Sequence, residues 1–309
     1  MTKRLLLYAV AACTLFLITS SSEAQYYFYN DRYYANDIVF EMGGSVGAMN
    51  SLTDLGGRKG VGKEFISDLN LKVTKPSYSL YAIATYRGFL GIRLEGTLGR
   101  IESYDSILKK RDPSLIGRYG RNLSFRTKIT DVQLAMEIHP LFFKYYEEDE
   151  APYWSPYIVA GVGYFAYNPQ ANLDGKWYDL YPLRLEGQGF AEYPDRKRYK
   201  LNQFNIPLGA GVKYEINSYL NARFEIVYRK LFTDYLDDVS NTYIDPSLFN
   251  VYLQPAQAAI AQRLYSRMQE LQPGYIVKDG QARGDKKDKD AYFTVQLKIG
   301  IIIPTGERR

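Results

Sequence analysis

Between residues 204 and 232 the chain alternates apolar and polar positions along two long stretches. Phe204, Ile206, Leu208, Ala210, Val212, Tyr214 and Ile216 take every second place, with Asn205, Pro207, Gly209, Gly211, Lys213 and Glu215 between them. After Asn217-Ser218-Tyr219 the alternation resumes. Leu220, Ala222, Phe224, Ile226 and Tyr228 then oppose Asn221, Arg223, Glu225, Val227 and Arg229. A period of two places each set on one face of a β-strand. Strands of about ten residues suit a bilayer crossed at a tilt. Apolar side chains outside with small and charged ones inside is the arrangement of a transmembrane β-barrel.

The same pattern recurs six more times. It runs from Ile38 to Ala48, Tyr78 to Tyr86, Leu90 to Leu98, and Asp131 to His139, then over 156–167 and from Phe293 to Ile301. The second stretch is polar on only part of its opposite face, and the fifth is apolar and Gly-rich on both. The connections read long, short, long, medium-short, long, short, longest. Eight antiparallel strands with every second connection short is the layout of a small outer-membrane barrel, which has short periplasmic turns and long outer loops. The fold class expected is therefore all-β: an eight-stranded antiparallel transmembrane β-barrel over 38–303, with outer loops at about 50–76, 101–126, 168–200 and 233–290. Residues 25–37 form a Tyr-rich arm and 304–309 a tail. Pro207 cannot donate to a ladder and is expected to form a bulge near the outer rim.

The last loop breaks the period. Ile260, Leu264, Met268 and Leu271 recur at helical spacing behind Pro255, which predicts a helix over 255–271 ended by Pro273-Gly274. Asp245-Pro246 starts a shorter helix before it. The charged tract 279–290 is expected to be solvated and mobile.

Residues 1–24 read as a signal peptide. Lys3 and Arg4 precede an apolar run from Leu5 to Ile18, and Ser22-Glu23-Ala24 is a small-x-small site that places cleavage between Ala24 and Gln25. The single cysteine, Cys13, leaves with it. The remainder carries 37 basic and 33 acidic residues, too mild an excess to imply nucleic acid as a partner. The 30 Tyr and 15 Phe of the full chain fit a membrane–water boundary. Tyr214 and Tyr219 would belong to an inner aromatic girdle, Tyr228 and Phe232 to an outer one.

The inward faces carry the chemistry that the pattern offers. Glu41, Arg93, Glu95, Asp131, Glu137, Lys213, Glu215, Arg223, Glu225, Arg229 and Lys298 share the interior, six acidic and five basic. An eight-stranded barrel is just wide enough for side chains to fill it, so near-balanced charges predict a packed ion-pair network rather than an ion path. Arg93-Leu94-Glu95 and Arg223-Phe224-Glu225 lie four strands apart and would meet across the lumen. The only histidine, His139, ends the fourth strand on the periplasmic side, away from a rim where a hydrolase would meet lipid or peptide. Asp234, Tyr235, Asp237 and Asp238 form a rim motif, expected to be hydrogen-bonded rather than to hold Ca²⁺. No cofactor, metal or catalytic residue is expected. Tyr146, Tyr153, Trp154 and Tyr219, on the short connections, are the candidate periplasmic contacts.

Six segments carry a family resemblance: GGSVGAMNSLTDLGG (43–57), GIRLEGTLG (91–99), NLSFR (122–126), SPYIVAGVGYFAYNP (155–169), FTDYLDDVSNTY (232–243) and DKDAYFTVQLKIG (288–300). In these the chain resembles the PorG-like outer-membrane β-barrel proteins, with TDYLDDVS the most specific. The resemblance implies a structural component of the type IX secretion and gliding machinery in the Gram-negative outer membrane. It also implies contact with PorK-like and PorN-like periplasmic ring subunits. The alternative is an outer-membrane barrel whose surface loops bind a ligand unrelated to secretion. The chain closes on IIIPTGERR rather than a terminal aromatic, which places the expected assembly signal around 293–301.

Overall fold

A computed structural model describes residues 37–56, 70–110, 117–144 and 152–303. Ala24, Gln25 and Tyr146 fall outside them, as do most of the arm and the tail. The described residues hold ten strands: β1 (Ile38–Leu52), β2 (Lys75–Tyr86), β3 (Leu90–Tyr104), β4 (Ser124–Ile138), β5 (Trp154–Ala166), β6 (Gln170–Leu173), β7 (Lys176–Asp179), β8 (Asn202–Asn217), β9 (Leu220–Leu231) and β10 (Ala291–Ile303). Eight of them form a closed antiparallel barrel in the order β1-β2-β3-β4-β5-β8-β9-β10, and β1 pairs with β10 to shut it. The short β6–β7 hairpin is an outgrowth whose one ladder pairing with the barrel, among the described residues, is Gln170 opposite Arg126.

The outer surface of the barrel is apolar. Leu80, Ile92, Leu94, Val132, Leu134, Ile158, Val162, Leu208, Ile226, Leu297 and Ile299 are all exposed, and they occupy outward positions on seven strands. So much contiguous apolar surface is unstable in water and is the surface a hydrocarbon solvent requires.

Two features of the strands follow from single residues. At the β2–β3 turn Arg87 and Gly88 both take positive φ (47° and 71°), and the Phe89 amide donates to the Tyr86 carbonyl at 3.2 Å. This is the tight turn whose twist suits a hairpin. Pro207 forms no bulge. The β5–β8 register is the same on both sides of it, but the pairings at Gly161 and Val162 are missing, as a residue without an N–H demands. Toward β9, Pro207 stays paired with Arg229, and the irregularity in that hairpin lies between Glu215 and Asn217.

Several strands run farther than the alternation predicted. β4 begins at Ser124 rather than near Asp131, and β3 reaches Tyr104 rather than Leu98. In these extensions the faces exchange chemistry. On β4 the outward residues change from Val132, Leu134 and Met136 to Lys128 and Arg126, while the inward ones change from Asp131, Gln133 and Glu137 to Ile129 and Phe125. The upper barrel is thus a water-soluble collar with an apolar core. That core comprises Met49, Leu55, Ile101, Leu123, Phe125, Ile129, Phe165, Tyr167, Leu231, Leu236, Val239 and Tyr292.

A third layer sits on the collar. It is built from the β6–β7 hairpin, the turn at 181–190, and two helices, α1 (Phe249–Tyr252) and α2 (Pro255–Leu264). Phe190 stacks on Tyr252 with centroids 4.2 Å apart, and Phe249 packs edge-on to Tyr265. Leu173, Leu185, Leu253 and Met268 close the same core. The predicted 255–271 helix is shorter than expected: it ends at Leu264, and a single 3₁₀ turn follows at Met268–Glu270. Its buried face is Ala258, Ala261 and Leu264, whereas Ile260 and Leu271 are only half-buried. Small alanines let the helix lie close on the aromatic core, an advantage that hydrophobicity alone does not reveal. The 279–290 tract is also more ordered than its composition predicts, since Arg283 and Asp290 within it are buried.

Candidate functional site

Three groups of polar residues could carry function: the lumen network, the loop rim and the short-turn end. All eleven inward charges are buried, none more than 7% exposed. Arg93 is the hub. It reaches Glu137 at 2.5 Å, Glu225 at 2.6 Å and Glu95 at 3.0 Å, so the two Arg/Glu pairs on β3 and β9 do meet across the lumen. Lys298 bridges Glu95 (2.7 Å) and Glu225 (2.9 Å) from β10. Arg223 holds Glu41 at 2.6 Å and Glu137 at 2.8 Å, Arg229 holds Asp131 at 2.7 Å, and Lys213 pairs with Glu215 at 3.0 Å.

Tyrosines fill the space left by these charges. Tyr81 donates to Glu41 and Tyr157 to Glu225, while the Arg223 guanidinium lies 5.5 Å from each ring centroid. Two inward glycines make this possible. A Cβ at Gly300 would overlap the Glu41 carboxylate and the Tyr81 hydroxyl, and one at Gly211 would overlap the end of the Tyr157 ring. Because charges from opposite walls touch, the lumen at this height is a cross-braced solid. Buried charges retained at such desolvation cost must each be matched, and here every one is.

His139 stands at the bottom of this network, 1% exposed. Its Nδ1 is 2.9 Å from Ser155 Oγ, and its Nε2 is 3.3 Å from Glu137 Oε2. Ser, His and Glu in a row resemble a hydrolase relay, but the connections are reversed. A relay needs the serine on Nε2 and the carboxylate on Nδ1. Glu137 is moreover committed to Arg93 and Arg223, and Ser155 is itself only 1% exposed. The arrangement orients a buried imidazole.

The rim motif is a hub of loop hydrogen bonds. Asp237 accepts from the amides of Leu55 (3.1 Å) and Val239 (2.9 Å), and Asp234 accepts from the Ser240 hydroxyl at 2.6 Å. Asp238, in the left-handed region at φ 64°, accepts from the Tyr199 hydroxyl at 2.6 Å. The Tyr235 hydroxyl accepts from Asn241 Nδ2, and its ring stacks on Tyr199. Asp290 accepts from the Leu236 amide. Burial raises Asp234 and Asp238 to about 7; in Asp238 the Arg283 charge opposes the rise. Burial, then neighbouring carboxylates, raise Asp237 and Asp290 further, with Asp54 prominent for Asp237. These are carboxyl groups poised to hold protons. Among the described residues no group of three or more His, Cys, Asp or Glu is placed to hold a metal ion.

Two arginines that sequence reasoning passed over tie the four long loops together. Arg121, inside the basic 117–122 stretch, donates to both oxygens of Asp105 and to the carbonyls of Asp54 and Arg283. Arg283 donates to Glu186 and to the Asp238 carbonyl, and Glu186 accepts from the amides of Ser240 and Asn241. Every long loop contributes at least one partner. The signal available beforehand was only a pair of arginines amid glycines, which does not distinguish a buried clamp from a solvated charge.

At the short-turn end, Tyr153, Trp154 and Tyr219 are exposed together with Phe143 and Tyr86. Phe89 packs between the rings of Tyr86 (5.8 Å) and Phe143 (5.7 Å), so this end carries an aromatic surface.

Residues 33–249 match the sequence profile of a domain of unknown function, DUF6089. No curated protein matches the chain. Among solved structures it is similar to three outer-membrane proteins. The attachment invasion locus protein Ail of Yersinia pestis is 9% identical, with 86% of this chain and 97% of that one covered at a TM-score of 0.36. OprG of Pseudomonas aeruginosa is 10% identical, covering 86% and 95% at 0.37. Outer membrane protein W of E. coli is 11% identical, covering 86% and 97% at 0.34.

Proposed function

The chain belongs to the DUF6089 family, and we propose that it serves there as a non-conducting, non-enzymatic scaffold of the Gram-negative outer membrane. The observation that carries this reading is the cross-braced lumen, in which Arg93, paired with Glu137 on the neighbouring strand, reaches Glu225 across the barrel. A pore needs a continuous wet path, and a barrel enzyme needs its nucleophile open to substrate. The lumen favours neither. The remaining functional surfaces are the two ends.

The long-loop end faces the outside and the short-turn end faces the periplasm, after export and removal of 1–24. We assign the short-turn end to an anchoring role in a type IX secretion assembly, through Tyr153, Trp154, Tyr219 and the connection that carries Tyr146. Support comes from the PorG-like segments and from the exposed aromatic surface at that end. The partners are PorK-like and PorN-like ring subunits. Photo-crosslinkers at Tyr153 and Trp154 should capture a periplasmic ring subunit, and deletion of the protein should stop type IX export. Intact export together with no crosslinked ring protein would remove this role. Planar-bilayer recordings should show no conductance above background.

A second reading has its own observation. The third and fourth long loops form a cap with a packed core, unusual for loops that only connect strands. A cleft of about 590 Å³ opens on it, lined by Tyr193, Arg196, Thr242, Asp285 and Lys287 among others. Removing 244–289 while export survives would leave the cap as a binding surface separate from secretion.

A further inference from the structure

The outward face of the barrel is not uniform where hydrocarbon gives way to water. On β3 and β4, Arg100 stands directly opposite Lys128 in the strand register, and both side chains are exposed. Facing residues on adjacent strands have Cβ atoms about 5 Å apart, and like charges in that position repel. Neither side chain has an ion-pair partner among the described residues. The next outward pair, Glu102 opposite Arg126, shows the contrast. Glu102 is paired with Lys75, and Arg126 is held by Gln170 and stacks on Trp177 at 3.6 Å. The sector therefore carries four basic groups against one acid, and its two central cations are uncompensated.

Height and side identify the missing partner. Below Arg100 on β3 the outward residues are Leu98, Leu94 and Ile92; below Lys128 on β4 they are Thr130, Val132 and Leu134. The charges thus crown an apolar column at the level of the headgroups. On the facing wall, the outward positions near the same end of β1 and β10 are Ala48, Leu52, Phe293 and Val295, without charge. A soluble anion would have no reason to sit beside exposed aliphatic side chains. An acylated one would.

We propose that the β3–β4 sector binds a phosphate of a multiply acylated outer-leaflet glycolipid, with Arg100 and Lys128 sharing the phosphate and the acyl chains lying along Leu98, Leu94, Val132 and Leu134. This rests on the proposed outer-membrane placement with the long loops outside. Guanidinium and ammonium groups bind phosphate by charge-assisted hydrogen bonds, and an interfacial site strengthens them.

The test uses the mature barrel in phosphatidylethanolamine nanodiscs doped with bis-phosphorylated lipid A, with retained lipid counted by native mass spectrometry. The double variant R100Q/K128Q should retain about tenfold less lipid A, and each single variant should fall between. Fully dephosphorylated lipid A should bind the wild type as poorly as lipid A binds the double variant. Millimolar inorganic phosphate should not displace the glycolipid, and K230Q on the far side should behave as wild type. Unchanged retention by the double and single variants overturns the proposal, as does equal binding of the dephosphorylated lipid. Displacement by inorganic phosphate would make the site an anion site without lipid specificity, which also overturns it. Reconstitution keeps the result independent of cellular location, and capture of ring subunits at Tyr153 reports on the anchoring role separately.

Discussion

The lower and upper halves of the barrel solve opposite problems with one continuous set of strands. Below Thr130 on β4, charge is inside and hydrocarbon-like surface outside; above it, Ile129 and Phe125 are inside and Lys128 and Arg126 outside. In the lower half, water is absent on both faces. Cohesion must come from paired charges and hydrogen bonds, because apolar burial gains nothing against lipid. In the upper half, water returns outside, and the hydrophobic effect again drives an apolar core. The difference teaches that the strand pattern reports the solvent. The height at which the pattern inverts marks the edge of the bilayer.

That comparison can be broken most directly in the lumen. Arg93→Ala leaves Glu95, Glu137 and Glu225 without their shared cation, and loss of one partner from a buried ionic cluster costs about 3–5 kcal/mol. Urea unfolding of the folded barrel in lipid vesicles should show this as a lowered midpoint; a change within error would mean that the network does not brace the lumen. Next in size is the outer surface. Leu94→Arg should cost about 2–4 kcal/mol, whereas Thr130→Arg, near the inversion, should cost at most about 1 kcal/mol. Equal costs would contradict the placement of the bilayer edge.

The upper half has its own keystone. Arg121→Ala should release the first, second and fourth long loops with a loss on the order of 1.5–3 kcal/mol. Limited proteolysis should then cut within 279–290 while the barrel retains its folded mobility in unheated gels. Resistance equal to wild type would show that the clamp is dispensable. The smallest effect is that of pH. Asp234 and Asp238 titrate near 7 in the folded protein against an ordinary 3.8, so the fold binds protons that the unfolded chain releases. Their contribution is complete below about 4 and is lost as pH rises toward 7 and beyond. Hydrogen exchange over 232–243, corrected for its intrinsic rate, should be slower at pH 5.5 than at pH 8, and Asp234→Asn with Asp238→Asn should shrink the difference, leaving the part due to Asp237 and Asp290. Slower exchange at pH 8 would reverse the assignment.

How much of this was legible in advance depended on which force dominated. The alternation from Phe204 to Ile216 announced a strand because both of its solvents, lipid and charged lumen, impose a period of two. The inversion at Ile129 was hidden by the same regularity: Phe125, Thr127, Ile129 and Asp131 share one face, and no local signal marks where that face changes neighbours. Length was therefore underestimated on β3 and β4. In the cap, Ile260 and Leu271 outranked Ala258 and Ala261 by hydrophobicity, but close approach to the aromatic core selected the alanines. Arg121, Arg283 and Asp290 were illegible for a different reason. Each is buried by partners far along the chain, and a polar residue in a loop carries no mark of its eventual burial.

The pairing of β1 with β10 has a kinetic meaning. Phe40 lies opposite Ile303 and Leu52 opposite Ala291, so the seam joins the first barrel strand to the last. Closing a loop of that size is entropically slow, and the contact has no local substitute. Until β10 docks, β1 and β9 both present raw edges to water, where an unpaired edge invites aggregation. The chain therefore stays an open sheet until its final strand arrives, which makes the last step of closure the one most exposed to failure.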